Sequence, residues 1–379
     1  PFRRRRPTLF GDAHFADEHE IRRAGLRADT GVILGRSRGR LLRADGQIGV
    51  LVFAPPRSGK GVGFVIPNLL TWPGSALVND IKLANYDATS GCRAAMGQKV
   101  VLFAPLDADG RTHNYNPLDF VSPRRDRRIN DIQAITSKLV VTPQRADPMW
   151  STEARMLLDA LILFLLDVNG RASLGAVYRT VLSTHDFNDY LRWALRKHAD
   201  RLDPFTVMQF NGFLSKAGKE QSGVLSSLKT ALSLFSNPYI DRATSSSDFD
   251  LRDLRRTPTT VYLGVMPRDI ARLAPLLNIF VQQAFDGLLG HLPGPDEPHT
   301  LLALLDEFTA LGRLENVEKG IGYFASYNII LAPVIQDLSQ LEETYGRASM
   351  ETFLATANIR IAYAQNSLRT AKYLSEELG

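Results

Sequence analysis

Lys60 stands in a segment whose residue types suit the holding of phosphate oxygens. Ala54-Pro55-Pro56-Arg57-Ser58-Gly59-Lys60-Gly61 follows the apolar run Ile48 to Phe53 and leads into Val62-Gly63-Phe64-Val65-Ile66. The spacing approaches G-x-x-x-x-G-K-[ST] at a strand-to-helix turn, where a phosphate-binding loop belongs. Gly59 and Gly61 let the backbone curl so that successive N–H groups converge, and the following helix adds its positive N-terminal end. Arg57, Ser58, Gly59, Lys60, Gly61 and Val62 are therefore the candidate nucleotide-binding residues, with the Lys60 ammonium directed to the terminal phosphates. Two positions depart from the pattern. Ala54 replaces the first glycine, and Gly61 replaces the hydroxyl that would ligate Mg²⁺, leaving water or Ser58 to serve. Gly61, Gly63 and Pro67 are poor helix formers, and local rules are most often broken at functional sites.

A second constellation is Leu301-Leu302-Ala303-Leu304-Leu305-Asp306-Glu307, an apolar strand ending in two carboxylates. Asp306 is the candidate Mg²⁺ ligand, through water, and Glu307 the candidate base that orients or deprotonates an attacking water. Ligands of parallel sheets bind at the carboxyl ends of strands, where this pair falls. Gln336 ends the next apolar strand; it can sense a γ-phosphate by hydrogen bonding, or merely cap the strand. Glu307, Lys60 and Gln336 form the candidate catalytic set.

The elements that must position these groups follow from hydrophobic patterning. Buried-strand runs are expected at Ile48–Phe53, Ser75–Val78, Lys99–Phe103, Thr259–Val265, Thr300–Leu305, Asn328–Val334 and Ile359–Ala364. Helices are expected between most of them, at Gly59–Leu70, Leu83–Met96, Leu273–Leu289, Arg313–Phe324 and Leu368–Leu378. Strand alternating with helix predicts an α/β fold with a mostly parallel sheet covered on both faces. From about Arg125 to Leu254 the rhythm changes to helical periodicity alone (Thr152–Leu166, Asp186–Lys197, Gly223–Phe235). That stretch reads as an all-α domain inserted between two strands. The expected divisions are 1–46, a charged, irregular lead-in; 47–124, first part of the nucleotide-binding domain; 125–254, the insert; and 255–379, the second part. Trp150, at the start of the insert's first long helix, is expected to pack against neighbouring helices. Ser215-Lys216-Ala217-Gly218-Lys219 reads as a solvated loop, with substrate contact as the alternative.

Composition agrees with a globular chain: 379 residues, 44% hydrophobic and 22% charged. The net charge of +5 permits a basic channel without demonstrating one. One cysteine, Cys92, excludes an internal disulfide and fits a reducing compartment. The longest apolar stretch, Leu157 to Val168, is broken by Asp159 and falls short of the roughly 20 residues that span a bilayer. Arg3-Arg4-Arg5-Arg6 suits the cytoplasmic flank of a membrane helix, or a solvated tail. His14/His19 and His291/His299 lack further ligands at metal-binding intervals, so no structural metal is expected.

Taken together, the motifs resemble the type IV secretion coupling proteins of the TraG type. The matching segments are Gly11-Asp12-Ala13-His14-Phe15-Ala16, Arg57 to Gly63 with Val65-Ile66-Pro67 and Leu69-Leu70, Val78-Asn79-Asp80-Ile81-Lys82, and Tyr115-Asn116-Pro117-Leu118-Asp119. They continue with Leu305-Asp306-Glu307-Phe308, Ala310-Leu311-Gly312-Arg313-Leu314, Gln336 to Leu341, Tyr345-Gly346, Thr370-Ala371 and Leu378-Gly379. The resemblance implies a RecA-like P-loop domain carrying an all-α insert, with ATP and Mg²⁺ as cofactors. It implies a six-fold ring at the cytoplasmic face of the bacterial inner membrane, anchored by an N-terminal membrane region. The implied partners are a relaxase–DNA complex or secreted effector proteins, together with the secretion channel. In that family Gly61 is common, whereas Leu83-Ala84 stands where Gly-Glu is usual. Ring ATPases set a neighbour's arginine at the nucleotide, and Arg313, Arg347 and Arg360 are the candidates. Competing expectations are a receptor module whose all-α domain binds exported proteins with little motor activity, an FtsK-like DNA translocase, and an unrelated P-loop kinase or metabolic enzyme.

Overall fold

The computed structural model describes residues 14–141, 148–183 and 186–378. The arginine run at 3–6, the Gly11-Asp12-Ala13 part of the first motif and the residue Asp147 lie outside them. Among the described residues there are nine strands: β1 (Val32–Ser37), β2 (Arg40–Ala44), β3 (Val50–Phe53), β4 (Ser75–Ile81), β5 (Lys99–Phe103), β6 (Thr259–Val265), β7 (Leu301–Leu305), β8 (Ile329–Ile335) and β9 (Ile359–Ala362). Seven of them form one sheet in the order β5-β6-β4-β7-β8-β3-β9. The β3–β8, β3–β9, β4–β7 and β7–β8 ladders are parallel. Every residue of β3, β6, β7 and β8 is buried, which is why β3, β7 and β8 read as unbroken apolar runs without polar alternation; β6 also buries Thr259 and Thr260.

The chain divides into two compact units, one of residues 1–101, 252–263 and 285–379, the other of 102–251 and 264–284. In the first, helices Ala84–Ala95, Leu338–Tyr345, Arg347–Thr356 and Leu368–Leu378 accompany the sheet. Arg93, fully buried, donates to the carbonyls of Leu69, Trp72 and Gly74 and to Thr260 Oγ1. It thereby satisfies carbonyls at the end of helix Ile66–Thr71 that have no helical partner.

The second unit is built on the 22-residue helix Pro148–Asn169, against which helices Arg125–Leu139, Pro204–Leu214 and Gly218–Leu232 pack. Nine consecutive residues of the central helix, Leu157 to Leu165, are buried, so it is apolar all round because it is surrounded. Asp159, the interruption in that run, is buried and accepts a hydrogen bond from Thr136 Oγ1 at 2.6 Å. Trp150 lies on Gly223 of the facing helix so closely that a Cβ there would sit 2.8 Å from the indole. Lys216 is ion-paired with Glu153 at 3.2 Å. Among the described residues no single helix is long and apolar enough to cross a membrane, and no group of three His, Cys, Asp or Glu side chains gathers as a metal site.

Several elements differ from the sequence expectation. The described residues of the lead-in hold regular structure: helix Glu18–Arg23 begins with a capping box between Asp17 and Glu20, and β1 pairs antiparallel with β2. Its turns and its charge conceal this, since Arg27 holds the hairpin by hydrogen bonds to backbone carbonyls and to Glu18. The helix expected over Arg313–Phe324 is confined to Glu315–Gly320. Helices Leu338–Tyr345 and Arg347–Thr356, separated only by Gly346 at φ +81°, have no counterpart in the expectation.

Candidate functional site

Because their ladders are parallel, β3, β4, β7, β8 and β9 present their carboxyl ends along one edge of the sheet. At β3 the chain leaves Phe53 for Ala54, whose amide donates to Ile335 O of β8 at 2.8 Å. Ala54 is buried and does not lie in the left-handed region, so no glycine is needed there. Arg57 (φ +63°) and Gly59 (φ +87°) do lie in it, flanking Ser58. Such alternation turns backbone N–H groups into an anion-binding concavity. A single π-helical turn, Gly61–Val65, opens the helix that continues as Ile66–Thr71. π-turns concentrate at functional sites, and within this one Gly63 lies under the Tyr363 hydroxyl, 2.7 Å from where a Cβ would be. Gly61 has open space around its missing Cβ, whereas Val62 and Arg57 are exposed.

Asp306 and Glu307 follow β7. Glu307 takes φ +49°, ψ +48°, a left-handed conformation that costs a non-glycine residue about 1 kcal/mol. The turn is held on two sides: Glu307 N donates to Asp306 Oδ1 at 2.9 Å, and Asn79 Nδ2 donates to Asp306 O at 2.6 Å. The strained residue presents its carboxylate beside that of Asp306, and both face Lys60.

The structure brings the candidate groups together. Lys60 Nζ is 2.6 Å from Asp306 Oδ1 and 2.7 Å from Glu307 Oε1, across 247 residues of sequence. β8 lies between β3 and β7 in the sheet, so Gln336 emerges between the loop and the acidic pair, and its Nε2 donates to Glu307 Oε2 at 2.7 Å. Gln340, one helical turn on, donates to Gln336 Oε1 at 3.2 Å. Burial pushes the Asp306 carboxyl above its usual range despite the neighbouring Lys60. Burial alone would lower Lys60, but its pairing with the two carboxylates carries it above the usual lysine value. The ammonium and Asp306 stabilise each other's charge in a place where either charge alone would be costly.

The donor set fits a magnesium–triphosphate group. Asp306 offers hard carboxylate oxygens, Lys60 a point cation, and Ser58 Oγ is buried with no hydrogen-bond partner in the protein. The arginine candidates are all engaged within the chain: Arg313 with Glu318, Arg347 with Glu351, and Arg360 with Glu377 and Leu354 O. At the end of β4, Lys82 and Leu83 take φ +75° and +61°. Leu83 thus occupies a left-handed position where the resembling family usually has glycine, which places the departure at a strained turn. Asn79 and Gln340 lie in the matching segments, but motif reading gave them no role in the site, and Tyr363 was not singled out. For Asn79 a signal existed, two adjacent polar residues, Asn79 and Asp80, after the apolar run Ala76–Val78 of β4.

Comparison with known proteins gives the family. The family model described as Type IV secretory system Conjugative DNA transfer matches residues 14–379. Protein VirD4 of Rhizobium radiobacter is 36% identical over 383 residues, covering 97% of this chain and 55% of the relative. Conjugal transfer protein TraG of Escherichia coli is 30% identical over 413 residues, covering 98% and 64%. The chain therefore spans between about half and two thirds of the length of these relatives. The plasmid coupling protein TrwB bound to the ATP analogue ADPNP superposes with a TM-score of 0.70 at 18% identity, over 98% of this chain and 85% of that one. TrwB with ADP and Mg²⁺ gives 0.69 at 17% identity, over 97% and 83%. These structural likenesses show the fold, a RecA-like P-loop sheet with an all-α insert. A family match over all the described residues, with its motif residues meeting at one sheet edge, places this chain in the type IV secretory system conjugative DNA transfer family.

Proposed function

We propose that this chain is the ATP-binding and ATP-hydrolysing motor region of a type IV secretion coupling protein that delivers DNA, with its bound relaxase, to the secretion channel. The observation that carries the reading is the meeting of Lys60 Nζ with Asp306 Oδ1 and Glu307 Oε1 at 2.6 and 2.7 Å, with Gln336 on the far oxygen of Glu307. The amides of the curl at Arg57 to Gly61 bind the phosphates, and the unpartnered Ser58 hydroxyl donates to a phosphate oxygen or a metal-bound water. Lys60 exchanges its carboxylate partners for phosphate oxygens, which frees Asp306 to hold the metal through water. Magnesium supplies charge neutralisation at the phosphates. Glu307, freed of Lys60 but still held by Gln336, orients the attacking water and takes its proton. Gln336 relays the presence of the γ-phosphate through Gln340 into helix Leu338–Tyr345. Support for nucleotide and magnesium comes from TrwB, solved with ADPNP and with ADP and Mg²⁺.

DNA is the proposed cargo because the matching family is described by conjugative DNA transfer and TraG by conjugal transfer. A six-fold ring at the inner membrane, with residues 125–254 as an insert that meets cargo, completes the reading. The test is ATP turnover by the purified chain with and without single- and double-stranded DNA. The expected result is DNA-stimulated hydrolysis abolished by Lys60→Ala and Glu307→Gln. Magnesium-nucleotide binding unaffected by Lys60→Ala would defeat the assignment. Effector binding by the full chain without any DNA-dependent turnover would favour the receptor reading.

A further inference from the structure

Asn79, two residues before the end of β4, pairs with Leu305, the last residue of β7, in a parallel register that runs from Ser75↔Leu301 to Asn79↔Leu305. Beyond that pair the ladder ends, because Glu307 turns into the left-handed region and carries the Asp306 carbonyl out of strand geometry. A buried carbonyl without a donor is costly, and here the donor is a side chain: Asn79 Nδ2 at 2.6 Å from Asp306 O. The backbone carbonyl of the candidate metal ligand is thus fixed by one amide, while its carboxylate is tied to the Glu307 N–H. Neither bond depends on Lys60 or Gln336, which hold the outer ends of the two acidic side chains.

The rest of the Asn79 amide is unusual. The side chain is 1% exposed, yet Oδ1 has no hydrogen-bond donor in the protein. The assignment of oxygen and nitrogen is fixed by geometry, since the reverse would set two acceptors 2.6 Å apart. A leucine or valine would fill this strand end without leaving an orphaned oxygen, and the neighbours Leu77 and Val78 are of that kind. An asparagine that accepts an unsatisfied oxygen in exchange for one bond to Asp306 O is placed for that bond.

We propose that Asn79 is a positioning residue for hydrolysis: its amide holds the Asp306–Glu307 turn in the left-handed form that aims both carboxylates at Lys60. This rests on the nucleotide-hydrolysing reading given above and deepens it. Its bond is to the Asp306 backbone, so Asn79 acts through the conformation of Glu307. Without it the Asp306 carbonyl has no partner, and the turn relaxes towards ordinary backbone, withdrawing Glu307 Oε2 from Gln336. The phosphate-binding loop, carried by β3 with β8 between, is left in place.

The test uses the whole chain and Asn79→Leu, with Asn79→Asp as a near-isosteric second variant that turns the donor into an acceptor. A crystal structure of either folded variant should show Glu307 outside the left-handed region and the Glu307–Gln336 bond broken, with the loop from Arg57 to Gly61 unchanged. Affinity for Mg²⁺ and a fluorescent ATP analogue should stay within about 3-fold, while kcat falls about 10- to 100-fold. A purely structural residue would lower melting temperature and nucleotide affinity together. An unchanged 306–307 turn in the variant structure overturns the inference, whatever the turnover. A wild-type chain that fails to bind Mg²⁺-nucleotide defeats the functional reading instead, and the variant structure still decides the role of Asn79.

Discussion

Gln336 donates to the Glu307 carboxylate at 2.7 Å from the end of the strand that separates the Lys60 loop from the acidic pair. Its other amide atom accepts from Gln340, whose helix also carries Tyr345, stacked on Phe308 with ring centroids 5.3 Å apart. Phe308 directly follows Glu307, so the base is reached from one helix by two routes, one polar and one packed. A change in what Gln336 bonds is therefore passed to the segment that follows the acidic pair.

Replacing Gln336 with Ala is expected to lower turnover about 10-fold, with nucleotide affinity within about 3-fold, because the base loses its orientation while the loop is untouched. Steady-state kinetics with a parallel binding titration checks this. A rise in KM alone would place Gln336 in binding.

Glu307→Gln keeps the shape of the site and removes the proton acceptor. Turnover should fall about 10²- to 10⁴-fold with nucleotide binding retained, which single-turnover hydrolysis measures. Residual activity near wild type would take the base role from Glu307.

Gly61→Ser introduces a side chain into open space at a helix start. Stability is expected to change by less than about 0.5 kcal/mol. The Mg²⁺ concentration giving half-maximal nucleotide binding should fall, since the hydroxyl adds a ligand the wild-type loop lacks. Gly63→Ala meets the Tyr363 hydroxyl at 2.7 Å and should destabilise, with partial rescue by Tyr363→Phe.

Burial raises the carboxyl groups of Asp80 and Asp159 to about 6 in the folded chain. A folded value above the unfolded one means the native state binds the extra proton between about pH 4 and 6. The stability that protonation confers is present at low pH and lost as pH rises through 6. Asp159→Asn, next to Thr136, should gain on wild type by up to about 3 kcal/mol over that interval and no further above it. Urea midpoints at pH 4.5, 5.5 and about 7 decide the matter, and a difference independent of pH would contradict it.

Arg93→Met removes the donor that satisfies three carbonyls and Thr260 inside the sheet unit. A loss of about 3 kcal/mol or more is expected by denaturant unfolding, since the Leu69 carbonyl and Thr260 lose this buried donor and the carbonyls of Trp72 and Gly74 keep only Gln98 Nε2.

Sequence alone determined which residues carry charge and where backbone curls or strand ends are permitted. The runs at Val50–Phe53, Leu301–Leu305 and Ile329–Ile335 announced buried parallel strands because both faces of each are covered, and the Gly59-Lys60 and Asp306-Glu307 signatures are local. The hairpin at Val32–Ala44 was hidden, since its stability comes from pairing and from Arg27, which no periodicity records. Tertiary structure decided the rest. Strand order put β8 between β3 and β7, and so put Gln336 on Glu307; register put Asn79 beside Asp306. Those are contacts between residues far apart in the chain, and their geometry exists only once the ladders have closed.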